Sequence, residues 1–218
     1  MGSVITKARA KFVLGHMVIA PVAAQSRCQA MEPTLEDTMN PTVMERAVEL
    51  IHPQRTAPFG QLELREAFGH FPSGVTALCA LGSGGDAQPI GLAASSFTSV
   101  SLEPALVSIC IANSSSTWPK LRGATRLGVS VLAAEQGGVS RQLAAKAADR
   151  FTGLDWSATR EGAVFIGGSC LWLDCTVRQE VTAGDHEIVL LEIGAITSFA
   201  GREPLVFHGS QFRSLAML

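Results

Sequence analysis

The sequence predicts a mainly β protein: an antiparallel barrel with helices on its outside. Three observations predict it. Short apolar runs follow one another closely, each bounded by turn residues. The 218-residue chain carries 21 glycines and 10 prolines, the residues that such a fold places between strands. One long stretch, 170–182, alternates in polarity, with Leu171, Leu173, Cys175 and Val177 against Trp172, Asp174, Thr176 and Arg178. That is the period of a half-buried strand.

The elements follow in chain order. Residues 1–31 contain no Asp or Glu, while Lys7, Arg9, Lys11 and Arg27 are basic. Residues 12–24 are mostly apolar and end in small side chains. Three readings compete: a targeting peptide cleaved after Val22-Ala23-Ala24, a disordered extension, or an upstream start with Met39 or Met44 as working initiator. The last two are favoured together. The apolar run is too short to span a membrane. Residues 32–58 hold four prolines, and 42–51 predicts a short helix. The expected organisation is therefore a loosely packed or disordered extension, 1–58, and a folded domain, 59–218.

In that domain, Leu62, Leu64, Phe68 and Phe71, with charges between them, predict an amphipathic helix over 61–71. Residues 75–81 read as a strand, 82–86 as a hairpin turn and 89–94 as the return strand. A strand over 106–111 precedes a short helix holding Trp118 and Leu121. Ser116 or Thr117 caps that helix, and Pro119 sits in its first turn. Residues 126–132 form a strand and 134–148 a helix of good composition. Residues 151–162 read as loop. The strand 170–182 turns at Ala183-Gly184-Asp185 into an apolar strand over 186–198, and 205–207 and 212–215 finish the sheet.

Composition excludes several functions. A net charge of −2, ten Phe, three Trp and no Tyr lack the basic excess and the stacking platforms of a nucleic-acid binder. The five cysteines are irregularly spaced, with no His or second pair at zinc-ligand spacing, so no metal site is expected. They read as small buried hydrophobes in a reducing, cytoplasmic setting. No phosphate loop, nucleophile elbow or zinc-protease motif is present. An enzyme built this way leaves its chemistry to a cofactor.

The stretch 91–111 is the most suggestive. It passes from small residues through a hydroxyl-rich run, Ser95-Ser-Phe-Thr-Ser99, into an apolar strand. Small side chains let a flat ligand approach the backbone, and hydroxyls with exposed N–H groups hold phosphates. An ordinary loop has the same composition. Phe71-Pro-Ser-Gly-Val-Thr76, Ala94-Ser-Ser-Phe-Thr-Ser-Val-Ser-Leu-Glu-Pro104, Leu127-Gly-Val-Ser-Val-Leu132, Asp149-Arg-Phe151, Gly184-Asp-His186 and Pro204-Leu-Val-Phe-His-Gly209 follow in this order. Together they resemble the short-chain flavin reductases, the small components of two-component flavin-dependent monooxygenases. The resemblance covers about 61–215.

The resemblance implies an FMN-binding split barrel, a homodimer with flavin near the subunit interface, and oxidation of NADH or NADPH with reduction of FMN or FAD. The reduced flavin then passes to a partner monooxygenase component. Ala93, Ala94 and Ser95 would lie against the isoalloxazine, with Ser96, Phe97 and Ser99 continuing that wall. Ser115, Ser116 and Thr117 would hold the flavin phosphate, helped by Arg150. Phe151 would stack on flavin or nicotinamide. His186 would bind the pyridine nucleotide, on a turn shaped by Gly184 and Asp185. Bland readings stand beside these: a helix cap for 115–117, core packing for Phe97 and Phe151, a solvated charge for Arg150 and a turn residue for His186. Ala105 stands where the family often has a second proline. No catalytic side chain is expected, because hydride passes between cofactors. A non-catalytic flavin- or haem-binding barrel and a pyridoxamine-phosphate-type oxidase are the alternatives.

Overall fold

In a computed structural model, residues 58–82, 88–146 and 149–216 are described. The expected 42–51 helix, the 1–57 part of the extension and the tip of the first hairpin lie outside them. Seven strands build the main sheet: β2 (Thr76–Leu81), β3 (Pro89–Ala94), β4 (Thr98–Leu102), β5 (Ala105–Ala112), β6 (Leu127–Val131), β9 (Leu171–Ala183) and β10 (His186–Ser198). Their spatial order is β3-β2-β6-β9-β10-β5-β4, and every pairing is antiparallel. The edge strands β3 and β4 are not paired with each other. A seam therefore stays open along one side.

Two further sheets flank this one. β7 (Trp156–Ala158) pairs with β8 (Val164–Ile166). β1 (Ser73–Gly74), β11 (Val206–His208) and β12 (Gln211–Arg213) form a three-stranded sheet. The C-terminal strands thus leave the main sheet, contrary to the expectation that they complete it. Their partner is the short strand at Ser73, on which no periodic pattern can be read.

The sequence dictates where the core lies. β2 is buried on both faces, which is why its sequence runs apolar without alternation. Leu78 and Ala80 face an inner cluster with Ile109, Leu127, Val129, Leu173 and Leu191. Ala77 and Cys79 face an outer cluster with Leu132, Leu143, Phe151, Val164 and Leu205. The β9–β10 hairpin follows the alternation: Leu173 and Cys175 are buried and Asp174 is only partly so. Its register shifts at two bulges, after Leu190 and Ile193, which bend a long ribbon.

Among the described residues, three α-helices lie outside. α1 (Gln61–Gly69) is held at its start by Glu63, whose carboxylate accepts the Gly60 N–H at 3.4 Å. It buries no residue; Leu62, Phe68 and the following Phe71 are more than two-thirds exposed. Of its apolar side chains only Leu64 is half-buried. α2 (Trp118–Leu121) sinks Trp118 and Leu121 into the inner cluster. Thr117 stands at its N-cap position as expected but makes no side-chain cap bond; Ser115 Oγ instead accepts the Trp118 N–H at 3.1 Å. α3 (Gly137–Ala144), after a 3-10 turn at Ala134–Gln136, stops short of the predicted 148 because Ala145 turns extended.

Buried thiols give this core a signature at high pH. Burial pushes the Cys175 thiol up to about 12 and the Cys79 thiol still further. In the unfolded chain both ionise near 9.0. Above that pH the unfolded state binds fewer protons than the folded one, so stability falls as pH rises. Each thiol contributes a slope of about 1.4 kcal/mol per pH unit there. Denaturant midpoints measured from pH 8 to 11 should drop, and a Cys79→Ala variant should drop less steeply.

Candidate functional site

The open seam holds a cleft of about 450 Å³. Its walls are Leu92–Ser96 on one side and Cys110–Ala112 on the other, with Ser114–Thr117, Lys146, Arg150 and His186 around the rim. Of the predicted residues, Ala93, Ala94, Ser95, Ser96, Ser115, Ser116, Thr117, Arg150 and His186 meet there. Phe97 and Ser99 do not: Phe97 packs against the inner cluster, and Ser99 lies on the exposed edge strand β4. Gly184 and Asp185 form the turn behind His186 and do not line the cleft.

Local rules place each wall. Ala93 packs on the outer cluster and Ala94 on the inner one, as successive strand residues must. Their smallness leaves backbone, rather than side chain, along the cleft. Ser96 carries on the β4–β5 ladder by side chain: its Oγ donates to Cys110 O and accepts from Cys110 N, both at 2.9 Å. Its one hydroxyl hydrogen is therefore committed to the protein.

Arg150 is a staple as well as a charge. Its Nη1 faces Gly91 O at 3.2 Å, Thr117 Oγ1 at 2.9 Å and Leu143 O at 3.2 Å. It thereby ties β3, the entry to α2 and the end of α3 together around the cleft. Asp149 sets it there, accepting the N–H groups of Phe151 and Thr152 at 2.9 and 3.1 Å in a local turn. The Thr152 hydroxyl and these N–H groups hold the Asp149 carboxyl below the usual carboxylate range. The Phe151 ring lies in the outer cluster, 7% exposed. It packs beneath Gly91, where an added Cβ would sit 2.9 Å from the ring and 2.5 Å from Cys79 Sγ.

His186 opens β10 opposite Ala112 and Ala183. Its Nδ1 meets Asp185 Oδ1 at 2.7 Å, and that contact lowers the Asp185 pKa. The turn is pinned to the end of β5, since Asn113 donates to Asp185 O and, through Nδ2, to Gly184 O. Gly184 takes φ +64°, which a turn of this hand requires.

A second cleft of about 550 Å³ adjoins the first through shared Ser114, Ser116, Thr117, Lys146 and Arg150, and adds Pro89, Ile90, Gly91, Lys120 and Phe151. Among the described residues, no Asp or Glu lines either cleft. The arrangement suits an anionic ligand with a flat apolar part. No group of three or more metal-ligating side chains occurs among the described residues. Lys120, Lys146, Cys110 and Ser114 escaped the sequence reading; isolated residues of these types carry no local pattern, and only the fold assembles them.

Comparison with known proteins shows the family. The model of the flavin reductase-like domain matches residues 68–216. An NADH-dependent FAD reductase of Streptomyces globisporus is 36% identical over 183 residues, 82% of this chain and 95% of that protein. The reductase component of a flavin-dependent trigonelline monooxygenase from Acinetobacter baylyi is 41% identical over 141 residues, 64% of this chain and 45% of that protein. The chain thus spans less than half the length of the Acinetobacter protein. The solved structure of the Streptomyces globisporus NADH:FAD oxidoreductase SgcE6, in complex with NAD and FAD fragments, superposes with a TM-score of 0.69 at 37% identity. It covers 75% of this chain and 97% of that one. The fold, the order of its motifs and the match over most of its length place this chain in the flavin reductase-like domain family.

Proposed function

We propose that the chain is an NAD(P)H-dependent flavin reductase that supplies reduced flavin to a partner monooxygenase component. The observation that carries this reading is the seam cleft, with backbone along one wall, cations at its rim and, among the described residues, no carboxylate in its lining. Those residues fit a flavin with its phosphate. Ala93–Ser95 present backbone to the ring, Thr117, Ser116 and Lys146 surround the phosphate, and Arg150 fixes the frame. His186, held by Asp185, stands where a nicotinamide entering from the open side would meet it. Flavin and nicotinamide supply the hydride chemistry when bound. The protein orients them, excludes water from one face and offers N–H dipoles to growing negative charge. Relatives support the partner: reductase components and subunits of flavin-dependent monooxygenases recur among them.

The test is steady-state absorbance of NADH and NADPH with purified full chain. Oxidation that requires added FMN or FAD is expected; no oxidation with either flavin ends the reading. His186→Ala should raise KM for the nicotinamide about tenfold with a smaller change in kcat, since it removes binding rather than chemistry. In a merely flavin-binding barrel this variant would change nothing.

A homodimer belongs to the same proposal. Leu62, Phe68 and Phe71 around α1, and Val100 and Leu102 on the β4 edge, are all exposed. Apolar surface of this kind is what a second copy would cover. Light scattering should give twice the chain mass, and Phe68→Glu with Phe71→Glu should shift it toward one. A cytoplasmic site is likewise proposed. The four described cysteines are free thiols, and among the described residues no helix is long and apolar enough to cross a membrane. Residues 1–58 are proposed as an extension to the reductase domain at 59–218.

A further inference from the structure

We infer that Glu187 is a positioning residue for the proposed reaction: through the Trp118 indole it holds the hydroxyl loop of the seam cleft in register with His186. The inference rests on the reductase reading. Glu187 follows His186 in β10, and successive strand residues point to opposite faces. His186 turns to the cleft, and Glu187 turns to the side of Val189 and Leu191 in the inner cluster. Glu187 lines neither cleft. It meets α2 instead. Its Oε2 accepts the Trp118 Nε1–H at 3.2 Å, and its Oε1 lies 3.5 Å from Arg122 Nη2.

Two ties thus bracket one loop. Before it, Asn113 donates its backbone N–H to Asp185 O at 2.9 Å and its Nδ2 to Gly184 O at 3.3 Å. After it, Trp118 and Arg122 meet Glu187, and Arg122 Nε reaches the Glu180 carboxylate of β9 at 2.9 and 3.0 Å. Between the ties lie Ser114–Thr117, which line the cleft. The loop proposed for the flavin phosphate and the histidine proposed for the nucleotide therefore hang on one hairpin. Stability alone does not account for this arrangement. The Arg122 side chain is half exposed, and ion pairs in that setting contribute little to stability. What the Glu187 carboxylate fixes is direction. The buried Trp118 indole needs an acceptor, and the strand that carries His186 supplies it. Without that acceptor α2, and the loop at its start, are free to shift against His186, and small misplacements weaken a site built on orientation.

Steady-state kinetics of the full chain with NADH, NADPH, FMN and FAD test the inference. Glu187→Ala should raise the KM for the nicotinamide nucleotide and for the flavin about fivefold each, with kcat within about twofold of the wild type. Glu187→Gln keeps an oxygen for the indole N–H and should recover both KM values to within about twofold. Because Glu187 acts through the placement of His186, adding Glu187→Ala to His186→Ala should leave the nucleotide KM where His186→Ala alone puts it. A merely structural residue would instead lower the active fraction, and so the apparent kcat, with KM unmoved. If Glu187→Ala does not fold, Trp118→Phe keeps a ring in the inner cluster, removes only the N–H, and should show the same rise in KM. A nucleotide KM unmoved by these changes, a Glu187→Gln protein as impaired as Glu187→Ala, or single effects that multiply in the double variant would each overturn the positioning role, while wild-type NADH or NADPH oxidation still upheld the reductase. If the wild type oxidises neither nucleotide with either flavin, both readings fall together.

Discussion

Ser95→Trp is expected to abolish flavin-dependent NADH oxidation and leave the fold standing. Ser95 lies at the exposed end of the β3 wall and lines the seam cleft. Its side chain makes no hydrogen bond with a described residue, unlike that of Ser96 beside it. A tryptophan there has solvent on one side and the seam cleft on the other. Filling the cleft removes the volume an isoalloxazine would occupy. Affinity should fall by about 100-fold or more, on the order of 3 kcal/mol. Thermal unfolding should move by only a few degrees, because nothing in the core is displaced. Fluorescence titration and a melting curve on one preparation check both halves. A Ser95→Trp protein that binds flavin as well as the wild type would remove the seam cleft as the flavin site. The control is Ser99→Trp, on the exposed edge strand outside the cleft lining. Its flavin affinity should hold as long as it is measured at the protomer concentration of the wild type.

Much of this was legible in the residues, for identifiable reasons. The β9–β10 hairpin was readable because one face is core and the other is not, so polarity alternates along it. β2 and β3 were readable as apolar runs around a turn. No pattern in the sequence marks β4 as a strand. Its Thr-Ser-Val-Ser-Leu sequence lies on an edge and is mostly exposed, so burial imposes no period on it. β7 was hidden in what reads as loop for the same reason, being exposed at all three positions. The helix over 134–148 overran because alanine and lysine favour helix locally, whereas the chain must leave α3 at Ala145 to bring Arg150 under Gly91. Arg150 shows the general limit. The sequence marks it as a charge beside a flavin-reductase-like motif, but its three acceptors lie 59, 33 and 7 residues away. Only tertiary structure reveals a staple.

Gly128→Ala should damage the fold more than any surface change. Gly128 sits in β6, paired with Cys79 on one side and Asp174 on the other, in the middle of the main sheet. A Cβ there would lie 2.0 Å from Val164 O, 2.7 Å from Val164 C and 3.0 Å from a Phe165 ring carbon. The obstacle is backbone, so no rotamer change relieves it. Nor can β8 retreat easily. Ile166 N–H donates to the buried Ser130 hydroxyl at 3.0 Å, and Trp172 Nε1 donates to Ile166 O at 2.8 Å. Phe165 is stacked on Trp172, with centroids 5.1 Å apart. Moving β8 away would break these contacts and open the outer cluster, to which Val164 and Ile166 belong. The expected cost is about 3 kcal/mol or more, a loss of roughly 10 °C in Tm. Gly138→Ala is the matched control: it lies in α3 with nothing within 4 Å of an added Cβ. There the same methyl should stabilise by about 0.5 kcal/mol through helix propensity. Opposite signs from one chemical change isolate the close approach of β8 to β6. Equal melting temperatures for Gly128→Ala and the wild type would mean that β8 does not pack across the sheet as described.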